Sequence, residues 1–289
     1  MKRIFVTALV LIAIVGLMTT RSGPALLNGL DRLWPGPGST QVAAAVPFGS
    51  HNQTLNVWRS GTKAAAPVMI FFYGGGWVKG NADEYGWAAR AYASKGFVVV
   101  VPDYRKVPDV RFPAFIEDAA QAVRWTQDNI ARFGGDPNRI AIAGHSAGAH
   151  SVAMLALDPQ WLAAAGASGA VKAAVGLSGP YDFYPFTGRA VAAMGAWSKP
   201  AETQPMTFAR GTAPPMMLVT GTADTTVRPK NTRNLFMALK AAGAVTIKKE
   251  YEGLGHEDVA MALSLPFRGK APVLADSARF VMEQLKDRK

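Results

Sequence analysis

Residues 140–157 restrict this chain more than any other stretch. Ile140-Ala141-Ile142-Ala143 is a short apolar run of strand type, and Ala147 to Leu157 is an Ala-rich helix former. Only Gly144-His145-Ser146-Ala147-Gly148 joins them. A strand that turns into a helix this quickly leaves no room for side chains beside the turn, which fits glycine at both outer positions. The turn lifts the Ser146 hydroxyl clear of the strand and sets it at a helix N-terminus, where unpaired N–H groups and the positive dipole end favour negative charge. Ser146 is therefore the candidate nucleophile. With 29 Gly in 289 residues, an ordinary glycine turn is the competing reading until partners for the serine are found.

The flanking pattern is one of alternating strands and helices. Strands are expected at Val42–Phe48, Thr54–Trp58, Ala66–Phe72, Phe97–Val101, Ile140–Ala143, Ala173–Leu177, Pro215–Thr220 and Val245–Lys249. Helices are expected from about Asp83 to Lys95, from Pro113 to Phe133, from Lys230 to Ala242 and from Pro272 to Leu285, with Gly96, Gly134 and Gly243 as stop signals. This alternation predicts an α/β domain, a mostly parallel sheet of about eight strands covered by helices on both faces. Residues 183–213 carry no clear strand but contain Phe183, Tyr184, Phe186, Met194 and Trp197. They are expected either to form a small lid over a pocket or to pack onto the domain.

A serine nucleophile needs a base, and the base needs an acid that holds its tautomer. The chain has four His. His51 precedes the nucleophile, His145 is the variable motif position and His150 follows on the helix leading away, which leaves His256 in the Gly253-Leu254-Gly255 loop beyond the last strand. For the acid, Asp224 directly after the Pro215–Thr220 strand is favoured over Asp182, which could instead brace its own loop. An anion forming on an attacked carbonyl needs preset N–H donors. Ala147 follows the nucleophile, and Gly74 and Gly75 sit in the Tyr73-Gly74-Gly75-Gly76-Trp77 run, where missing side chains let backbone approach closely.

Composition narrows the remaining classes. The absence of Cys excludes disulfides, thiolate metal sites and a lipidated cysteine. The formal net charge of +11 is spread over 31 Lys and Arg without a basic and aromatic stripe of the kind that binds nucleic acid, and reads as a solvated surface, with attraction to anionic membrane as the alternative. Lys2 and Arg3 precede an apolar run from Ile4 to about Met18. That run is a little short of the roughly 20 residues that cross a bilayer. A signal peptide or a membrane anchor over residues 1–21 is expected, then a linker over 22–40 rich in Pro and Gly, then one domain over 41–289.

With the elbow, the glycine run, the acid and the histidine in this chain order, residues 41–289 resemble an α/β-hydrolase of the carboxylesterase and lipase kind. The likeness is to microbial esterases related to hormone-sensitive lipase and to feruloyl and acetylxylan esterases, and it includes Asp103-Tyr104-Arg105, Phe112-Pro113, Asp136-Pro137-Asn138-Arg139 and Gly179-Pro180-Tyr181-Asp182. Many relatives carry His where this chain has Tyr73. The resemblance implies a small ester as substrate, no cofactor and no metal, with short-chain acyl groups held in an open pocket. Trp77, Phe186, Trp197 and Phe267 are the expected pocket residues. The same residues would also suit amide hydrolysis, and a non-catalytic binding protein is the alternative from another class.

Overall fold

Strands with no solvent-facing residue form the middle of the sheet. In the computed structural model, which describes residues 22–34 and 36–286, β3 (Ala66–Phe72), β4 (Val98–Pro102) and β7 (Met216–Gly221) are buried along their whole length. That is the burial expected of parallel strands covered on both faces. With β1 (Thr40–Phe48), β2 (Gln53–Arg59), β5 (Gly135–His145), β6 (Val171–Leu177) and β8 (Thr246–Tyr251) they make one eight-stranded sheet in the order β1-β2-β4-β3-β5-β6-β7-β8. β3 to β8 run parallel, while β2 pairs antiparallel with β4 and β1 antiparallel with β2. At the β8 edge Lys248, Lys249 and Glu250 interrupt the apolar pattern, which blunts pairing with another chain.

Helices cover the sheet in two groups. α2 (Gly86–Ala93) packs with the closing α9 (Val273–Gln284), and α3 (Ala114–Asn129), α4 (Ala147–Leu157) and α5 (Pro159–Ala164) pack together. α4 is buried on all sides, as its uniformly apolar sequence requires. The helix expected to run to Phe133 tightens into a 3₁₀ turn at Ile130–Phe133 and stops at Gly134, whose φ of 84° a side chain would oppose. The signal peptide or anchor expected over residues 1–21 lies outside the described residues.

The stretch expected as a linker differs. Residues Gly23–Leu33 form a helix, α1, capped by Ser22, whose Oγ accepts from Ala25 N–H at 3.2 Å. Pro24 looks like a breaker, but it stands in the first turn, where its missing N–H has no helical partner to lose. The helix is fixed to the domain by contacts distant in sequence. Asn28 Nδ2 donates to Asp83 O at 2.8 Å, and Asp31 accepts from Arg90 Nε at 2.7 Å.

The elbow sits where β3, β5 and α4 converge. A Cβ on Gly144 would lie 2.6 Å from the Gly148 carbonyl carbon, and one on Gly148 would collide with the carbonyl oxygen of Phe72 in β3. The obstacle is backbone in both cases. Gly148→Ala is therefore expected to cost about 3 kcal/mol, the upper end for overpacking, read as a lower urea midpoint of unfolding; an unchanged midpoint would refute the steric account.

Candidate active site

Ser146 closes the elbow with φ 54° and ψ −120°, a region that non-glycine residues occupy only when the surroundings impose it. Its N–H donates to Leu177 O on β6 at 2.9 Å, and its carbonyl accepts from His150 N at 3.1 Å. Held at both sides, the side chain projects beyond the ends of the parallel strands. There it meets His256: Ser146 Oγ lies 2.9 Å from His256 Nε2, and His256 Nδ1 lies 2.8 Å from Asp224 Oδ2. A carboxylate can only accept, so Nδ1 carries the proton and Nε2 presents its lone pair to the serine hydroxyl.

Asp224 is buried, and its second oxygen accepts from Thr226 N at 3.0 Å and Val227 N at 2.8 Å. These donors stabilise the carboxylate where a bare charge would be costly. Asp182, the other acid weighed, turns away: its Oδ2 accepts from Asn234 Nδ2 at 2.6 Å, and its N–H donates to Asn231 Oδ1. His256 opens α8 (His256–Met261). Asp258 on that helix accepts from Gly255 N at 2.9 Å and pairs with Lys270. The ammonium first, and the backbone N–H second, hold its carboxyl below the ordinary range.

Gly74 lies beside Ser146. A Cβ there would stand 3.2 Å from Ser146 Cβ and 3.0 Å from His145 Nδ1. Gly75 has φ 132°, and a side chain on it would strike the Lys79 carbonyl. No loop carbonyl among the described residues accepts from the Gly74 or Gly75 N–H. Ala147 N–H is among the orphan donors of α4's first turn. These donors can therefore face an anion next to Ser146.

Tyr73 braces this loop. Its ring stacks between Tyr104 at 4.6 Å and Tyr85 at 5.1 Å. Its hydroxyl donates to Asp103 Oδ1 at 2.6 Å and accepts from Lys106 Nζ at 3.0 Å, while Tyr104 donates to the Tyr73 carbonyl. Burial, with Tyr104 and Asp103 beside it, raises the Tyr73 phenol well above its usual range. The hydroxyl therefore keeps its proton and its bond to Asp103. The third member of the Asp103-Tyr104-Arg105 run ties the next loop to α3 through a salt bridge from Arg105 to buried Asp118.

Of the expected pocket residues, Trp77 and Phe186 join one aromatic group at the elbow helix. Trp77 meets His150 edge-on at 5.4 Å and stacks with Phe183 at 6.0 Å, and Phe186 touches Phe183 at 5.8 Å. Trp197 reaches this group only through Phe112 and Phe115, and Phe267 stands apart from it. Trp197 is held edge-on to Phe112 at 5.2 Å, with its indole N–H donating to Glu202, and Phe267 lies in a 3₁₀ turn under the Lys270 ammonium. Residues 183–213 contain α6 (Arg189–Met194), and they are tied down at several points. Thr203 O accepts from His150 Nε2, Phe112 N donates to Ala193 O, and Arg189 lies over Gly76, 2.7 Å from where its Cβ would be.

Two residues that sequence alone left aside brace the site. His145 Nε2 donates to the His256 carbonyl at 3.0 Å, with the two rings 4.8 Å apart, so the variable position of the elbow grips the loop bearing His256. His150 supports the aromatic group and fixes residue 203. Their signal was present in the sequence only as two further histidines within four residues of Ser146.

A family model described as BD-FAE matches residues 57–239. Esterase LipC of Mycobacterium tuberculosis is 34% identical over 227 residues, which is 71% of this chain and 56% of that protein. Esterase LipQ of the same organism is 30% identical over 267 residues, covering 84% of this chain and 63% of the relative. The chain thus spans less than two thirds of the length of either. A solved esterase from Pyrobaculum calidifontis superposes with a TM-score of 0.74 at 24% identity, over 90% of this chain and 89% of that one. The architecture is the α/β-hydrolase fold.

Both bracing histidines are buried as neutral rings. Burial, and for His145 the neighbouring His256, lowers His145 to about 3, and burial lowers His150 to about 4. In the unfolded chain each takes up a proton near its ordinary value of about 6.5. Between these limits the unfolded state binds more protons, so the stability present above pH ~6.5 is lost as pH falls, by up to about 1.4 kcal/mol per pH unit for each ring. The urea midpoint is expected to be lower at pH 5 than at pH 7.5, with a shallower slope in His150→Asn. A midpoint that does not move with pH would contradict the neutral assignment.

Proposed function

The chain belongs to the BD-FAE family, and on that footing we propose that it is a serine carboxylic-ester hydrolase working through an acyl-enzyme on short-chain or small acyl esters. The observation that carries this reading is the chain of contacts from Ser146 Oγ through His256 to Asp224, at 2.9 Å and 2.8 Å. Ser146 attacks the ester carbonyl while His256 Nε2 takes its proton. Asp224 keeps Nδ1 protonated and stabilises the imidazolium that forms. The carbonyl oxygen becomes an anion facing the N–H groups of Gly74, Gly75 and Ala147. His256 then protonates the departing alcohol, and water releases the acid by the same steps in reverse.

The wall beside the elbow, where Trp77, Phe183 and His150 already pack ring against ring, supports small acyl groups. LipC and LipQ are named as esterases, which supports ester over amide substrates. The basic start and apolar run of residues 1–21 support export or a membrane tether. Protein recovered from the cell envelope is expected to begin either near residue 23, after cleavage, or at Met1; recovery from the cytoplasm alone would sink this placement.

The full chain is expected to hydrolyse p-nitrophenyl esters with a maximum at short acyl chains. Ser146→Ala is expected to lower kcat about 10⁶-fold. Asp224→Asn should lose on the order of 10⁴-fold, whereas Asp182→Asn should stay near wild type. Turnover independent of Ser146 would remove the nucleophile assignment, and a larger loss in the Asp182 variant would transfer the acid role. Activity on anilides without activity on esters would favour amide substrates, and a folded protein inert to both would favour a binding role.

A further inference from the structure

We propose that the outer edge of α1 is a bilayer-docking surface, which seats the domain on an anionic lipid surface through Leu26, Leu30, Leu33 and Trp34. The helix has two distinct faces. Leu27, Asn28 and Asp31 are buried against the domain, where Asp31 accepts both from Arg90 and from the backbone N–H of Leu265 at 2.7 Å. Leu26, Leu30 and Leu33 recur at i, i+4 and i+7, so they form one stripe on a different side. Leu30 is 50% exposed, Leu33 85% and the following Trp34 53%. Among the described residues seven large hydrophobic side chains are at least half exposed, and three of them fall within residues 30–34. A single exposed leucine needs no explanation, but a stripe ending in an exposed tryptophan on an anchored helix does.

The chain that precedes the helix identifies the occupant. The apolar run from Ile4 to about Met18 is separated from the cap residue Ser22 by Thr19, Thr20 and Arg21 alone. Four extended links reach about 14 Å, about twice the depth of one headgroup region. If the apolar run enters lipid, Ser22 stays within about 14 Å of the hydrocarbon, and the stripe on α1 is the exposed apolar surface nearest to it in the chain. Tryptophan suits that depth, with an apolar body and a polar N–H. Arg21 precedes the helix and Arg32 stands in its last turn, and the net charge of +11 matches an anionic leaflet. The inference rests on residues 4–18 entering the membrane, and it adds which surface of the domain then faces the lipid.

The chain contains no Cys, so Leu33→Cys carries a single environment-sensitive fluorophore in the full-length protein. A second variant, Met237→Cys, carries the same label on α7 (Lys230–Ala241), which packs on β7 and β8 at the opposite side of the sheet from β1 and is 63% exposed at that position. Mixed phosphatidylcholine and phosphatidylglycerol vesicles are added to each. On binding, the label at position 33 is expected to shift to the blue and to be quenched by bromine-labelled lipid, while the label at position 237 stays aqueous. Vesicle binding with no change at position 33 overturns this surface and leaves the tether intact. A label at position 33 that is already blue-shifted before lipid is added shows the stripe covered by the protein itself, which also overturns it. Absence of vesicle binding overturns both the tether and the surface.

Discussion

The structure turns on the contact of three backbones at the elbow. Phe72 at the end of β3, Gly144 at the end of β5 and Gly148 in the first turn of α4 come so close that a single methyl group at either glycine would strike main chain. That proximity forces Ser146 to positive φ and aims its hydroxyl out of the sheet. Everything else at the site is arranged around this one side chain. The β5–β6 pairing supplies the Leu177 carbonyl that holds its N–H, and Gly74 brings a second stretch of backbone within van der Waals reach.

Charge in this buried region is managed by hydrogen bonds. Asp224 has three donors, two of them backbone N–H groups of its own loop, so its buried oxygens are all hydrogen-bonded. His145 and His150 each donate one proton to a backbone carbonyl, of His256 and Thr203, and stay neutral because burial disfavours the cation. The result is a set of rigid links between the elbow and the segments facing it. Tyr73 plays a comparable part below the glycine loop, where its phenol joins Asp103 and Lys106.

The segment between β6 and β7 belongs to the same frame. Its first aromatic, Phe183, packs on Trp77, while its later part supplies the Thr203 carbonyl to His150 and the Ala193 carbonyl to Phe112. The sequence left a lid and a packed insertion as alternatives, and these contacts make it a wall fastened to the domain. The apolar surface that the domain leaves open on α1 lies instead near the N-terminal side, joined to the His256-bearing segment through Asp31 and Leu265.

Local pattern alone determined the strands, the elbow and the chain order of Ser146, Asp224 and His256, because strand burial, glycine geometry and chain order are all written in short stretches. Elimination among four histidines pointed to His256, which follows a strand late enough to return over Ser146 and lies 2.9 Å from its Oγ. Tertiary structure decided what depends on partners far away in sequence. Pro24 read as a breaker until Asp31 and Arg90 came together to hold α1 in place, and Trp197 and Phe267 could not be placed without knowing that Glu202 and Lys270 engage them. The grip of His145 on His256 spans more than a hundred residues. No periodicity or spacing encodes such a contact, since it arises only when the folded sheet brings the ends of its strands side by side.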